Sequence, residues 1–246
     1  MLSSNGIAIK EGERFRTLVD LSQEEKQKLL NAIIGHLTSI GFQSNVVLDL
    51  VGTVYTLIEE APGSPTHDGR EYSALLNACG RTGNPSIGIS VGMGDRKTAL
   101  QEANEVVANY RKMLANYMEW LTDTPGAIQK FSSIWVIRGE NQIQPSMTGA
   151  FSSIISSGNL YPDHAIIVVT RAEDGGLKLS ARAPPKLLKM GVNLGAALNA
   201  TSKKYSGFGG GHNVAAGAHI HVEDPNDFLK ELDEAIVAQM KANAGS

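Results

Sequence analysis

The chain has 246 residues, 42% hydrophobic and 19% charged, with a formal net charge of −3. That length allows one large domain or two modest ones, the balance is ordinary for a globular protein, and the net charge argues against a generally basic nucleic-acid binder. No run approaches the roughly 18 apolar residues of a membrane helix, residues 1–15 lack a signal-peptide core, and a single cysteine, Cys79, excludes an internal disulfide or a multi-cysteine metal site, so a cytoplasmic protein is expected.

In chain order, "LSQEEKQKLLNAIIGHLTSIGF" predicts a helix, with Ser22 and Glu25 as a capping box and Gly41 as its stop. "NVVLDLVGTVYTLIEE" is β-rich and predicts a strand or two. Residues 61–69 read as a loop. "REYSALLNACGR" predicts a short helix ending near Gly80. "NPSIGISVGMGD" fits a glycine-bearing helix or a strand. Asp95 should cap a long helix over 96–123, whose Met113, Met118 and Trp120 read as core or partner-facing residues. Thr124-Pro125-Gly126 breaks that helix and marks the expected domain boundary, 1–124 and 125–246.

Beyond the break the pattern is α/β. "SSIWVIRG" is a strand and "PSMTGAFSSIISS" a helix. "HAIIVVTRA" and "LKLSARA" are strands joined by the hairpin turn "EDGG". "KLLKMGVNLGAALNATSKKY" is helical and "AAGAHIHV" a strand. "DPNDFLKELDEAIVAQMKA" is a helix with Asp224 as cap and Pro225 at its first position.

Charge is unevenly distributed. Residues 175–222 hold Lys178, Arg182, Lys186, Lys189, Lys203 and Lys204 and no Asp or Glu. This basic segment, which could also be a solvated face, brackets "GFGGGHN". Gly207, Gly209, Gly210 and Gly211 could turn successive N–H groups into one anion-holding concavity, with the His212 imidazole beside it. They could equally serve a tight chain reversal. The run is neither a Walker loop nor a dinucleotide fingerprint.

Ser180 and Arg182, two residues apart on a strand, share a face suited to phosphate or carboxylate, or form an ordinary exposed strand face. Asn77 and Arg81 at a helix end could contact phosphate, or Arg81 could simply complement the helix dipole. His219 and His221 alternate on one strand face and, with His212, raise a zinc site. With no carboxylate in 175–222, half-exposed strand histidines are the simpler reading. Asp163-His164 and His67-Asp68 read as loop residues.

"GGGHNVAAGA" resembles the signature of the DHHA1 domain of DHH phosphoesterases, "LSAR" its Ser-x-Arg strand and "GVNLGAAL" its intervening helix. "EYSALLNACGR", "VGMGDR" and "DLSQEEKQKLL" are similar to segments of archaeal RecJ-like exonucleases, including GINS-associated nucleases, which are related to Cdc45. The resemblance runs from about Gly6 to the last helix. It implies an α/β fold: a helical connector region followed by a DHHA1 domain with a mixed sheet flanked by helices.

It also implies that Gly209, Gly210, Gly211 and His212 hold a phosphate near the scissile bond, that Ser180 and Arg182 bind one at the substrate end, and that Asn77 and Arg81 face the cleft. Such enzymes hydrolyse phosphodiesters with Mn²⁺ or Mg²⁺ held by an N-terminal DHH domain. No DHH motif or Asp-x-Asp occurs in this sequence. The expectation is therefore the connector and substrate-binding part of a longer enzyme, binding single-stranded nucleic acid without catalytic or metal residues of its own. Alternatives are a Cdc45-like scaffold that binds GINS, or part of a phosphoesterase for short oligonucleotides.

Overall fold

The computed structural model describes residues 2–41, 52–158 and 161–244, which pack as two compact units, 1–70 and 71–246. In the first unit a short hairpin, β1 (Lys10–Glu11) with β2 (Arg14–Phe15), precedes helix α1 (Gln23–Ser39). The α1 capping box forms as expected. Ser22 Oγ accepts from Glu25 N–H at 3.2 Å, and the Glu25 carboxylate accepts from Ser22 N–H at 2.9 Å. Arg16 grips the same carboxylate with two bonds, of 2.8 and 2.6 Å. Arg16 first, then Ser22, pull that carboxyl's pKa down to about 2. The strand expected within 45–60 lies partly outside the described residues. From 52 to 60 the chain forms only an isolated bridge, Thr56 to Asp68.

In the second unit, α2 (Gly69–Arg81, its first two residues in unit 1), α3 (Pro85–Gly92) and α4 (Thr98–Asp123) share a small core of Leu75, Cys79, Val91, Ala99 and Ala103. The ambiguous segment 84–95 is thus a helix, with Pro85 at its first position. Asp95 does not cap α4. The helix starts at Thr98, and Asp95 accepts from Lys97 N–H at 2.9 Å.

A six-stranded mixed sheet follows, in the order β3 (Ile128–Lys130), β4 (Ile134–Arg138), β5 (Ala165–Arg171), β6 (Leu177–Arg182), β8 (Ala215–Ile220), β7 (Phe208–Gly211). Only β4 and β5 run parallel, joined through α5 (Thr148–Ser157). The remaining helices are α6 (Pro185–Lys189), α7 (Leu194–Ser202) and α8 (Asn226–Ala244).

Alternation along β4 and β5 sends residues to two cores, which is why β5 is apolar throughout. Ile134, Val136, Ile167 and Val169 join Leu177, Leu179, α7 and α8 on one face. Ile137, Ile166 and Val168 join Phe151 and Ile155 of α5 and Tyr117 and Leu121 of α4 on the other. Burial of each such side chain contributes about 1.5–3 kcal/mol. Asp233 of α8 anchors the turn into β4, accepting from the backbone N–H groups of Ser132, Ser133 and Ile134 and from Ser133 Oγ.

Three expectations are corrected here. The single helical stretch over 186–205 is α6, α7 and a 3₁₀ turn (Lys203–Tyr205), because Gly191 adopts φ +82° between the two helices. Pro225 precedes α8 rather than opening it, its carbonyl accepting from Leu229 N–H. The glycine run is itself a strand, β7, at the sheet edge.

Candidate phosphate-binding site

A strand points successive N–H groups to opposite sides, so Gly209–Gly211 cannot gather theirs into one concavity. The concave anion nest expected there is not formed. Three of the glycines serve close packing. A Cβ on Gly207 would lie 2.3 Å from His219 O, one on Gly209 2.8 Å from Leu198 O, and one on Gly211 2.7 Å from Ala215 O. From the facing helix, a Cβ on Gly195 would lie 2.3 Å from Gly211 O. The first N–H groups of α7 are also taken, Leu194 by Asn213 O, Gly195 by His212 O and Ala196 by Asn193 Oδ1.

Gly210 differs: a Cβ there meets nothing within 4 Å. Register puts Gly210 opposite Gly217, and Gly217 opposite Ser180. This row lies on the sheet face turned away from α7 and α8, and at about 4.8 Å per strand it spans about 10 Å. The parallel row of Phe208, His219 and Lys178 flanks it on one side, and Arg182 and Ala215 on the other. The His212 imidazole is exposed and makes no side-chain hydrogen bond among the described residues.

At the Ser180 end the sheet meets the N-terminus of α5. Arg182 donates to Ser153 Oγ (3.1 Å), Ser180 Oγ (3.2 Å), Ala181 O (2.8 Å) and Gly149 O (3.3 Å), and the hydroxyls of Ser152 and Ser180 are 2.9 Å apart. These partners hold the guanidinium in place without neutralising it. Gly149, in the first turn of α5, exposes its Cα toward this cluster: a Cβ there would stand 3.9 Å from each of Arg182 Nη2, Arg81 Nη1 and Ser180 Oγ. Met147 caps α5 without a side-chain bond. Burial first, and the neighbouring Arg81 charge second, lower the pKa of Arg182, which remains a cation. Among the described residues neither arginine forms an ion pair, and Arg81 has no hydrogen-bond partner. Two like charges, an uncapped helix start and two hydroxyls around a bare Cα are groups whose chemistry suits an anion.

The structure therefore brings Ser180, Arg182 and Arg81 together. Asn77 stands exposed one turn before Arg81 on the same face of α2. Gly210 shares the sheet face with Ser180, whereas Gly209 and Gly211 point to α7 and β8. Gly149, Ser152 and Ser153 went unrecognised in the sequence, although a glycine and a serine pair near the start of an expected helix were a usable signal.

The model of the DHHA1 domain matches residues 134–238. The chain is 30% identical over 240 residues to an uncharacterized protein, MJ0831, of Methanocaldococcus jannaschii, covering 94% of this chain and 49% of that one, so it spans about half the length of this curated relative. The structure of RecJ from Thermus thermophilus with Mn²⁺ superposes with a TM-score of 0.52 at 15% identity, covering 87% of this chain and 30% of RecJ. The Mg²⁺ complex of the same protein gives 0.51 at 17%, covering 68% and 25%.

Proposed function

We propose that this chain, which carries a DHHA1 domain on a RecJ-like fold, is the part of a phosphodiesterase that grips a single-stranded nucleic acid by its phosphates. The observation that supports this most is the pair of guanidiniums, Arg81 and Arg182, facing the bare Cα of Gly149 without a counter-ion. A terminal phosphate there would accept from both arginines, from Ser180 or Ser152 and from the first N–H groups of α5. The strand would then run along the Ser180–Gly217–Gly210 row toward His212, where Gly210 leaves the backbone open to a second phosphate and the imidazole can donate to it.

Catalysis belongs, in this reading, to a DHH domain carrying Mn²⁺ or Mg²⁺. The described residues do not fit a two-metal centre: they contain one cluster of three potential ligands, Asp174, His219 and His221. Replication proteins such as GINS are partners to test in the context of the longer enzyme.

The test is fluorescence anisotropy with labelled single-stranded DNA and RNA, with and without a 5′-phosphate, followed by incubation with Mn²⁺. Salt-sensitive binding that prefers the phosphorylated end and is lost in Arg182→Ala supports the reading. Equal binding by that variant, or efficient trimming by this chain alone, overturns it.

A further inference from the structure

At the opposite end of β8 from His212, two histidines meet a carboxylate that the sequence separates from them. Asp174 lies in the β5–β6 turn, one residue outside the acid-free segment, and antiparallel pairing of β6 with β8 delivers it to the end of β8. His219 Nε2 is 3.2 Å from Asp174 Oδ1. The His219 and His221 rings stand 4.8 Å apart, centroid to centroid, nearly perpendicular. One ligand atom from each of the three residues lies within 4.8 Å of the others.

The surroundings fix these groups. Gly176 N–H donates to Asp174 Oδ1 at 3.0 Å and orients the carboxylate, and that bond is the main cause of its lowered pKa. Gly176 also leaves the space that the imidazole uses, since a Cβ there would come within 2.7 Å of His219 Nε2. The Phe208 ring covers His219 from the edge strand, with centroids 5.5 Å apart.

We propose that Asp174, His219 and His221 bind one divalent transition-metal ion of the Zn²⁺ class. Imidazole nitrogen and carboxylate oxygen bind such ions at about 2.0–2.2 Å, which places neighbouring ligand atoms of a tetrahedral centre about 3.3 Å apart. The Asp174–His219 pair already has that separation, at 3.2 Å, and His221, with a ring nitrogen within 4.8 Å of the other two ligand atoms, would supply the third ligand by turning toward them. Two imidazoles and one carboxylate select Zn²⁺, Co²⁺ or Ni²⁺ over Mg²⁺ or Ca²⁺, which prefer all-oxygen sites. Lys178, opposite His219 on the same sheet face, and Arg171, bonded to Gly175 O, are the cations close by. They limit affinity without occupying the ligand positions. The bound ion would tie the β5–β6 turn to the end of β8, with one position open to water. The site is distinct from the arginine cluster, although His219 also flanks the Ser180–Gly217–Gly210 row, and it does not depend on phosphate being bound there.

The experiment is calorimetric titration of the whole chain, stripped with chelator, with ZnCl₂ at neutral pH, alongside the visible spectrum with Co²⁺. One ion per chain is expected, with the d–d bands of a nitrogen- and oxygen-bound Co²⁺ and a melting temperature that rises with free Zn²⁺. His221→Ala and Asp174→Asn should each weaken binding at least about 10-fold, while His36→Gln, on α1, leaves it unchanged. Asp174→Asn keeps a hydrogen-bonding group beside His219, so its loss of binding separates metal ligation from a plain Asp–His contact, and circular dichroism confirms that it folds. No saturable binding, or binding that both variants retain, overturns the proposal.

Discussion

Around β7, glycine stands where the backbones of α7 and β8 leave no room for a side chain. Around Gly149 it stands where there is room, facing charges that have no partner. The glycines of β7 pack against α7 on one face of the sheet, and Gly149 opens α5 on the other. They differ in what fills the missing Cβ: in β7 other parts of the protein fill it, and at Gly149 a ligand can. A bare backbone near positive charge can admit a ligand only where the space in front of it is open; that space is open at Gly149 and Gly210 and filled at Gly207, Gly209 and Gly211.

The contrast can be broken by substitution. Gly195→Ala, which drives a Cβ to 2.3 Å from Gly211 O, should cost about 3 kcal/mol or prevent folding, and Gly209→Ala should behave similarly in urea denaturation. Arg182→Ala should weaken oligonucleotide binding about 10–100-fold with little change in melting temperature, because it relieves repulsion with Arg81 while losing bonds to neutral groups. It should also reduce the slope of log K against log salt by about 0.7, one phosphate contact on a single strand.

Gly149→Ala should separate the two properties. Its Cβ meets only ordinary contacts at 3.9 Å, so a helical alanine should gain up to about 0.5–1 kcal/mol of stability while filling the anion position and weakening binding several-fold. Gly210→Ala should change stability by less than about 0.5 kcal/mol and reduce affinity slightly.

The smallest effect concerns the approach to β7, where Tyr205 donates to Glu231 at 2.7 Å and Lys204 pairs with it at 2.6 Å. Lys204 first, then Tyr205, lower the Glu231 pKa, so this contact stabilises the fold above the ordinary glutamate pKa and is lost as pH falls below it. The Glu231 bond raises Tyr205 to about 12, so its contribution is complete below pH 10 and is lost as pH rises toward 12. Tyr205→Phe should remove the alkaline limb of the stability profile and leave the arginine cluster unaffected.

These differences also explain what could be read from the sequence. The α1 capping box, the β5–β6 hairpin and the pairing of Ser180 with Arg182 depend on neighbours within a few residues, and their side chains announce them. β3 and β7 escaped because three ordinary residues and a run of glycines carry no alternating pattern; only β4 and β8 make them strands. The division of 186–205 turned on Gly191, read as part of a helix until its left-handed backbone is seen. The arginine cluster was half legible. Ser180 and Arg182 share a strand, but Arg81 arrives from 100 residues away and Gly149 from a helix start, and no local pattern reports such a meeting. Asp174 reaches His219 in the same way, by strand pairing.

The Asp233 anchor has a consequence for how the protein is made. Its carboxylate holds the backbone of Ser132–Ile134 across about 100 residues of chain, and without it three N–H groups at the entry to β4 lack their acceptor. On the ribosome β4, α5, β5 and β6 emerge well before α8, so the first sheet pairs must wait with one face uncovered until residue 233 clears the exit tunnel. Contacts this distant in sequence form slowly, and the exposed strands are open to aggregation in that interval. The window of synthesis between β6 and α8, rather than the finished fold, is therefore where the entry to β4 stands without its carboxylate acceptor.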